Sequence, residues 1–534
     1  MIDTQMQEEI DELFAPLAVP GSPGCALGVM KDGKLIYKNG YGLANLEHGI
    51  AITPSTPFYI ASMAKQFTGF AVALLVGQDK LDLDADIRTY LPYVPDFGHT
   101  ITTKHLLYHT SGLRSDIFLL MLAGWRIEDV ITQQDIVELV KSQRELDFVP
   151  GEEFSYCGTG YSLLAEIVAA VSDTSFPEYC SEHIFKPLGM TNTRFESDPL
   201  AIVAGRASAY QAIGENNYKN AVLTISILGG TGLYTTIEDL ALWDENFYTG
   251  RVGGAQAIQR MQTPGALNSG ETLSYAFGLT VDRRRGQDVF SHGGDSSGIH
   301  CYMMRMPSDH LSVVILGNVS TLRAATLAQN VADILLESDC ASEGPSKGAP
   351  THPTIIERSP GALEPLAGRY FDEKSAAFVD VLFKDDKLWI YGHELSATSG
   401  DSFFLTQHPE ATAVFGCTGK DSRTVTIDIG NGANTYKQVH AIETTAKDLA
   451  AFVGTYRSPE LDVIWRLDLD EEQLVVRRRR HGTSVLKPIC EDVFIDPWVG
   501  RILHGNAEWV IAFDRIDGQV SALRVTASGA RGRN

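Results

Sequence analysis

Ser62-Met63-Ala64-Lys65, followed by Phe67-Thr68-Gly69-Phe70-Ala71-Val72-Ala73-Leu74-Leu75-Val76, decides how this chain is read. The apolar run has the length and composition of a buried helix. Residues three apart share a helix face, so the Ser62 hydroxyl and the Lys65 amine can meet. The hydroxyl would stand at the helix N-terminus, where backbone N–H groups and the helix dipole favour developing negative charge. A serine nucleophile needs that arrangement: an amine to manage its proton and donors aimed at an oxyanion. The alternative is an N-cap serine beside a solvated lysine. A second copy of the tetrapeptide, Ser484-Val485-Leu486-Lys487, runs into Pro488 and a polar mixture and opens no apolar helix.

Outward from this helix, Ile10, Leu13, Phe14 and Leu17 have helical spacing. Two apolar runs, Cys25–Met30 and Leu35–Tyr37, flank Lys31-Asp32-Gly33-Lys34, a hairpin signal. From 60 to 250 the texture is mainly helical. Strand-like runs return near 275–282, at 299–306 and at 311–317, and a last helix spans about 323–338. Helices held between an N-terminal hairpin and returning strands predict an α+β domain, residues 1–340, with its sheet built from both ends. Residues 341–360 read as a linker. Beyond them short alternating strands give an all-β texture that repeats. Leu366-Ala367-Gly368-Arg369-Tyr370 recurs as Phe452-Val453-Gly454-Thr455-Tyr456, and Lys387-Leu388-Trp389-Ile390 as Gln473-Leu474-Val475-Val476, both at an offset of about 86 residues. Two small antiparallel β-barrel units are expected, 361–446 and 447–534.

The bulk properties narrow the function classes. The 534 residues carry a net charge of −23, which argues against wrapping nucleic acid or sitting on anionic lipid. Seven cysteines are scattered without a C-x-x-C pair, so neither a disulfide framework nor a zinc site is expected. No metal or organic cofactor is implied. The stretch from Met1 to Glu9 has no basic n-region and no apolar h-region, and no apolar run is long enough to span a bilayer. The expectation is a cytoplasmic protein acting on a small molecule or short peptide, without membrane or nucleic-acid partners and compatible with a homodimer.

Two further segments look like pieces of a site. In Pro150-Gly151-Glu152-Glu153-Phe154-Ser155-Tyr156-Cys157-Gly158-Thr159-Gly160-Tyr161, Tyr156 sits among small residues just before a helix and can present its hydroxyl in a cleft. In Phe290-Ser291-His292-Gly293-Gly294-Asp295-Ser296-Ser297-Gly298, paired glycines clear a strand edge for a substrate, and His292 could bond a carbonyl or carboxylate. Taken alone, the first segment reads more readily as packing and the second as a turn with a structural histidine. Together, in order and spacing, the three resemble the serine β-lactamase and penicillin-binding-protein superfamily. Leu106–Leu113, Phe185–Met190 and Gly230–Leu233 extend the resemblance over about residues 10–340. Tyr156-Cys157, His292-Gly293-Gly294 and the tail repeat are most similar to the three-domain D-aminopeptidases.

The resemblance implies acyl-enzyme chemistry. Ser62 would be the nucleophile, Lys65 would take its proton or keep its pKa low, and Tyr156 would shuttle the proton to the leaving group and then activate water. The N–H of Ser62, with one from a strand beginning near Asp295, would form the oxyanion hole. His292 would steer the substrate, with Gly158, Gly293, Gly294 and Asp295 lining its path. The best substrate is the N-terminal residue of a short peptide or amide. An esterase, an acyltransferase or peptide cyclase, and a catalytically silent binding protein are the alternatives.

Two positions depart from the pattern. Gly158 stands where asparagine is usual. Arg501–Ala507, where the resemblance places an acid for the substrate amine, contains no carboxylate, and Asp496 is the nearest upstream. Cys157 reads as a packed residue, Arg477–Arg480 as a solvated barrel face and His109 as a helix-entry hydrogen bonder.

Overall fold

The computed structural model describes residues 4–342, 355–373, 377–406, 408–417, 423–428, 433–440, 442, 444–497 and 509–527. The chain forms two compact units, Met1–Ile117 with Arg126–Pro350, and Phe118–Trp125 with Thr351–Arg533.

In the first unit, helix α1 (Thr4–Phe14) precedes a hairpin of β1 (Cys25–Lys31) and β2 (Lys34–Tyr41). Asp32 and Gly33 both take positive φ, +53° and +71°, as a two-residue turn between right-twisted strands requires. Strand β1 then pairs with Leu311–Gly317, so a six-stranded sheet runs Thr280–Arg284, Gln287–Ser296, Ile299–Met306, Leu311–Gly317, β1, β2. The two ends of the unit build one sheet, in antiparallel register such as Val29 opposite Val313. Leu311–Gly317 is buried at every residue, as a central strand covered on both faces must be. Ile10 and Phe14 of α1, with Val331 and Ala332 of the helix Ala324–Ser342, join Val29, Val313 and Ile315 in one core.

Helix α2 (Lys65–Gly77) is buried from Lys65 to Leu75. Phe67 and Phe70 lie with ring centroids 4.5 and 5.0 Å from Trp243, whose indole N–H donates to Gln66 Oε1 at 2.6 Å. Each phenylalanine buried there contributes roughly 1.5–3 kcal/mol, so the helix that carries Lys65 is anchored by its packing. Along the chain follow α3 (Thr103–Leu107), α4 (Asp116–Leu122), α5 (Gln133–Ser142) and α6 (Gly158–Ser172), of which α6 packs against α2. The mainly helical middle also contains a hairpin, Ala209–Gly214 with Asn217–Ala221, which the sequence reading did not expect.

The second unit repeats itself in structure as in sequence. A helical turn, Pro360–Leu363 then Glu364–Leu366, leads into the strand Gly368–Asp372. Another, Ala446–Leu449 then Ala450–Phe452, leads into Gly454–Ser458. In both copies a tyrosine closes the turn onto the strand: Tyr370 donates to Leu366 O and Tyr456 to Phe452 O, each at 2.9 Å. The first copy closes into an eight-stranded barrel from Gly368 to Val439. Among the described residues of the second, eight strands pair as two four-stranded sheets, those between Gly454 and Val485 and those between Lys487 and Ala527. Of the expected linker, Ser342 still belongs to the helix from Ala324, and 343–354 lie outside the described residues.

Candidate active site

The chain enters the site under strain. Ala61, buried and not a glycine, has φ +46°, and Ala61–Ala64 forms a 3₁₀ turn before α2 begins. Ser62 is therefore held in the tight turn that leads into the long helix. Lys65 donates from Nζ to Ser62 Oγ at 3.0 Å and to Gly230 O at 3.0 Å, and is 2% exposed. The same Nζ lies 4.9 Å from the Tyr156 ring centroid and 5.6 Å from that of Tyr161. Thr68, nearly one turn further along α2, donates to Gly229 O at 2.7 Å, so two carbonyls of one loop are tied to one helix face.

Tyr156 lies just before α6 with its hydroxyl buried and without a hydrogen-bond partner. An orphaned buried hydroxyl costs about 1–3 kcal/mol, and its place beside Lys65 marks a group kept ready for a substrate or a proton. His109 holds the Tyr156 loop. Its own φ is +57°, its carbonyl accepts from Ser155 N–H at 2.9 Å, and its Nδ1 accepts from Cys157 N–H at 3.1 Å. Its ring lies 4.3 Å from that of Tyr156. Burial above all, and then the Lys65 charge, hold His109 well below the ordinary histidine range, so it sits neutral under the tyrosine. Cys157 donates to Leu113 O at 3.2 Å, and burial raises its thiol to about 12, which makes it a packing residue.

His292 has internal partners for both ring nitrogens. Nδ1 lies 2.5 Å from Gly293 O, and Nε2 lies 3.0 Å from the Tyr275 hydroxyl. The carbonyl can only accept, so Nδ1 carries the proton and Tyr275 donates to Nε2. Burial, reinforced by Lys65, lowers this imidazole to about 4. Its ring is 6.2 Å from that of Tyr156.

The glycines beside His292 differ in purpose. A Cβ on Gly294 would stand 2.0 Å from Ile60 O, so glycine there lets the strand press against the turn that carries Ser62. Asp295, pairing with His300 Nδ1 at 2.6 Å, is exposed and by strand alternation faces away from His292 and Gly294. Its strand runs from Gln287 and ends at Ser296, so the expected oxyanion donor lies at a strand end, not at a beginning. Asp496, the upstream acid named above, is 0% exposed and ion-paired with Arg478 in the second unit. Residues 501–507 lie outside the described residues. Alternation along a strand predicts two of Arg477–Arg480 facing solvent; Arg478 is buried, and Arg477, Arg479 and Arg480 are exposed.

Ser62, Lys65, Tyr156 and His292 thus converge, and a family model described as Beta-lactamase matches residues 10–336. The chain belongs to the β-lactamase family. As such it is a serine hydrolase, and its likenesses run beyond the catalytic unit. It is 27% identical over 520 residues to a D-aminopeptidase of Gluconobacter oxydans, covering 96% of this chain and 94% of that protein. Among solved structures it is similar in fold to the octameric penicillin-binding protein homologue from Pyrococcus abyssi, with a TM-score of 0.56 and 20% identity over 90% of this chain and 99% of that one. It is likewise similar to the D-amino acid amidase from Ochrobactrum anthropi, with a TM-score of 0.54 and 19% identity over 63% of this chain and 100% of that one. No helix among the described residues is long and apolar enough to cross a membrane.

His109 and Tyr275, whose rings lie 4.3 and 6.3 Å from that of Tyr156, are neighbours of the candidate site that the sequence reading set aside or missed. His109-Thr110-Ser111-Gly112 is visible in the sequence, but the positive φ of His109 and its place beside Tyr156 emerge only in the folded chain. Nothing in the spacing announces Tyr275.

Proposed function

We propose that this β-lactamase-family enzyme is a D-aminopeptidase-like hydrolase that releases the N-terminal residue of short peptides and amides through a Ser62 ester. The observation that carries the reading is the Lys65–Ser62 contact of 3.0 Å beneath a buried, unpartnered Tyr156 hydroxyl. Likeness to a D-aminopeptidase along 96% of the chain supports the choice of substrate.

In this reading Lys65 accepts the Ser62 proton as Oγ attacks the carbonyl, and the Gly230 carbonyl fixes the direction of the amine. Charge developing on the carbonyl oxygen is met by the N–H of Ser62 and by one from the end of the strand Gln287–Ser296. Tyr156 passes the proton to the leaving amine and then takes one from the incoming water. His292 acts through Tyr275 and through the strand rather than by touching substrate, because both of its nitrogens are engaged.

The test is a matched panel: D- and L-alanine anilides, D- and L-alanine amides and short-chain esters, run side by side. The reading predicts hydrolysis of D-alanine anilide and amide with the L-forms far slower. Turnover confined to esters would contradict it.

A further inference from the structure

Among the described residues Lys65 has two hydrogen-bond partners, and one of them is the nucleophile itself. Once Ser62 Oγ turns to a carbonyl carbon, the 3.0 Å bond to Gly230 O is the one that still fixes where the amine points. A Cβ on Gly230 would stand 3.6 Å from both Lys65 Nζ and Gly158 O, so position 158 borders the amine. Glycine there offers it no polar side chain. The aim of the base therefore depends on what holds a single carbonyl.

That carbonyl belongs to a buried loop lodged between two helices. Gly229 takes φ +82°, and a Cβ on it would stand 2.2 Å from Tyr161 O of α6. From α2, Thr68, 0% exposed, donates to Gly229 O at 2.7 Å. Within the loop, Gly230 N–H donates to Leu228 O at 3.0 Å and the Thr231 hydroxyl to Ile227 O at 2.7 Å. From α5, Gln133 Oε1 accepts from Leu228 N–H at 3.0 Å. Of these ties, the Thr68 hydroxyl is the one that comes from the helix carrying the base. Thr68 and Lys65 are three residues apart and share one face of α2, and their donors take consecutive carbonyls. A slide of the loop that lengthened the lysine bond would also have to break the threonine bond.

We propose that Thr68 is a positioning residue for acyl transfer: it holds Gly229 O so that the next carbonyl keeps Lys65 directed at Ser62. The proposal rests on the reading of Lys65 as the group that takes the Ser62 proton. Thr68 acts through the loop and not on the reacting atoms. Without its hydroxyl, Gly229 O loses a buried donor, and the loop gains freedom to shift where the amine must be fixed. Misplacing a catalytic group by about 1 Å costs up to about 100-fold in rate, so a single lost tie is expected to cost a part of that.

The test reads the second-order rate at which an activated phosphonate labels Ser62 in the full chain, which depends on no choice of substrate. Thr68→Val, which keeps the shape and loses the donor, should slow labelling by about 5- to 30-fold. Thr68→Ser, which keeps the donor, should stay within about threefold of wild type. In the Lys65→Ala background, Thr68→Val should change the rate by less than about twofold, because the group it directs is gone. A merely structural role would lower both backgrounds by the same factor. Thr68→Ala should match Thr68→Val and takes its place if that variant folds poorly. Equal factors in the two backgrounds, wild-type labelling without the hydroxyl, or a Thr68→Ser variant as slow as Thr68→Val would overturn the proposal while leaving the reading of Lys65 standing. Labelling of Lys65→Ala at the wild-type rate would overturn both.

Discussion

Each unit of this protein buries a basic side chain, and they hold it in opposite ways. Lys65 is held by a hydroxyl, a carbonyl and the faces of two tyrosine rings. Arg478 is ion-paired with Asp496, hydrogen-bonded to Ser484 and flanked by the rings of Trp465 and Trp509, at 5.1 and 5.7 Å. A buried guanidinium matched by a carboxylate is a structural element, whereas an amine held by a hydroxyl and a carbonyl is unfinished until a substrate or proton arrives. The same contrast separates the two Ser-x-x-Lys stretches. Ser62 leads into a buried helix with Lys65 at hand, while Ser484 lies in a strand with its hydroxyl engaged by Arg478.

The contrast is breakable by mutation. Ser62→Ala should lower kcat by about 10⁴-fold or more, and Ser484→Ala should leave it unchanged; steady-state assays on the D-alanine anilide decide this. Next in size, Lys65→Ala and Tyr156→Phe should each cost about 10²- to 10⁴-fold, and the double variant little more than either. Clean multiplication of the two losses would mean that one of them only packs. In the second unit, Asp496→Asn should leave Arg478 buried without its counter-charge and destabilise the unit by about 3–5 kcal/mol in urea unfolding. A loss below 1 kcal/mol would place that pair with ordinary surface pairs.

The smallest effect concerns pH. His292 is held near 4 in the folded chain, against an ordinary value of 6.5, chiefly by burial. The unfolded chain therefore binds the extra proton between those values. The stability that a neutral His292 contributes is complete above pH 6.5 and is lost as pH falls through about 4, roughly 3 kcal/mol over the window. His292→Gln should flatten that part of the acid limb of a stability–pH curve. An unchanged slope would show that the imidazole is not desolvated as described.

The sheet was legible because its strands carry unmistakable apolar runs, Cys25–Lys31 and Leu311–Gly317, at opposite ends of the unit. The hairpin Ala209–Ala221 was not, because most of its residues face solvent and show no apolar alternation. Ser62 and Lys65 were legible from spacing, since one helical turn brings them together. Tyr275 was not, because its contact with His292 arises only when its segment packs against the strand Gln287–Ser296. Likewise the offset of the tail repeat showed where each copy begins, but strand content alone does not say whether eight strands close into one ladder.

Covalent labelling tests the central claim most directly. The full chain, treated with an activated phosphonate and digested, should carry one adduct by mass spectrometry, on the peptide containing Ser62. Lys65→Ala should sharply slow its formation. An adduct on the Ser484 peptide, or labelling whose rate is indifferent to Lys65, would contradict the account.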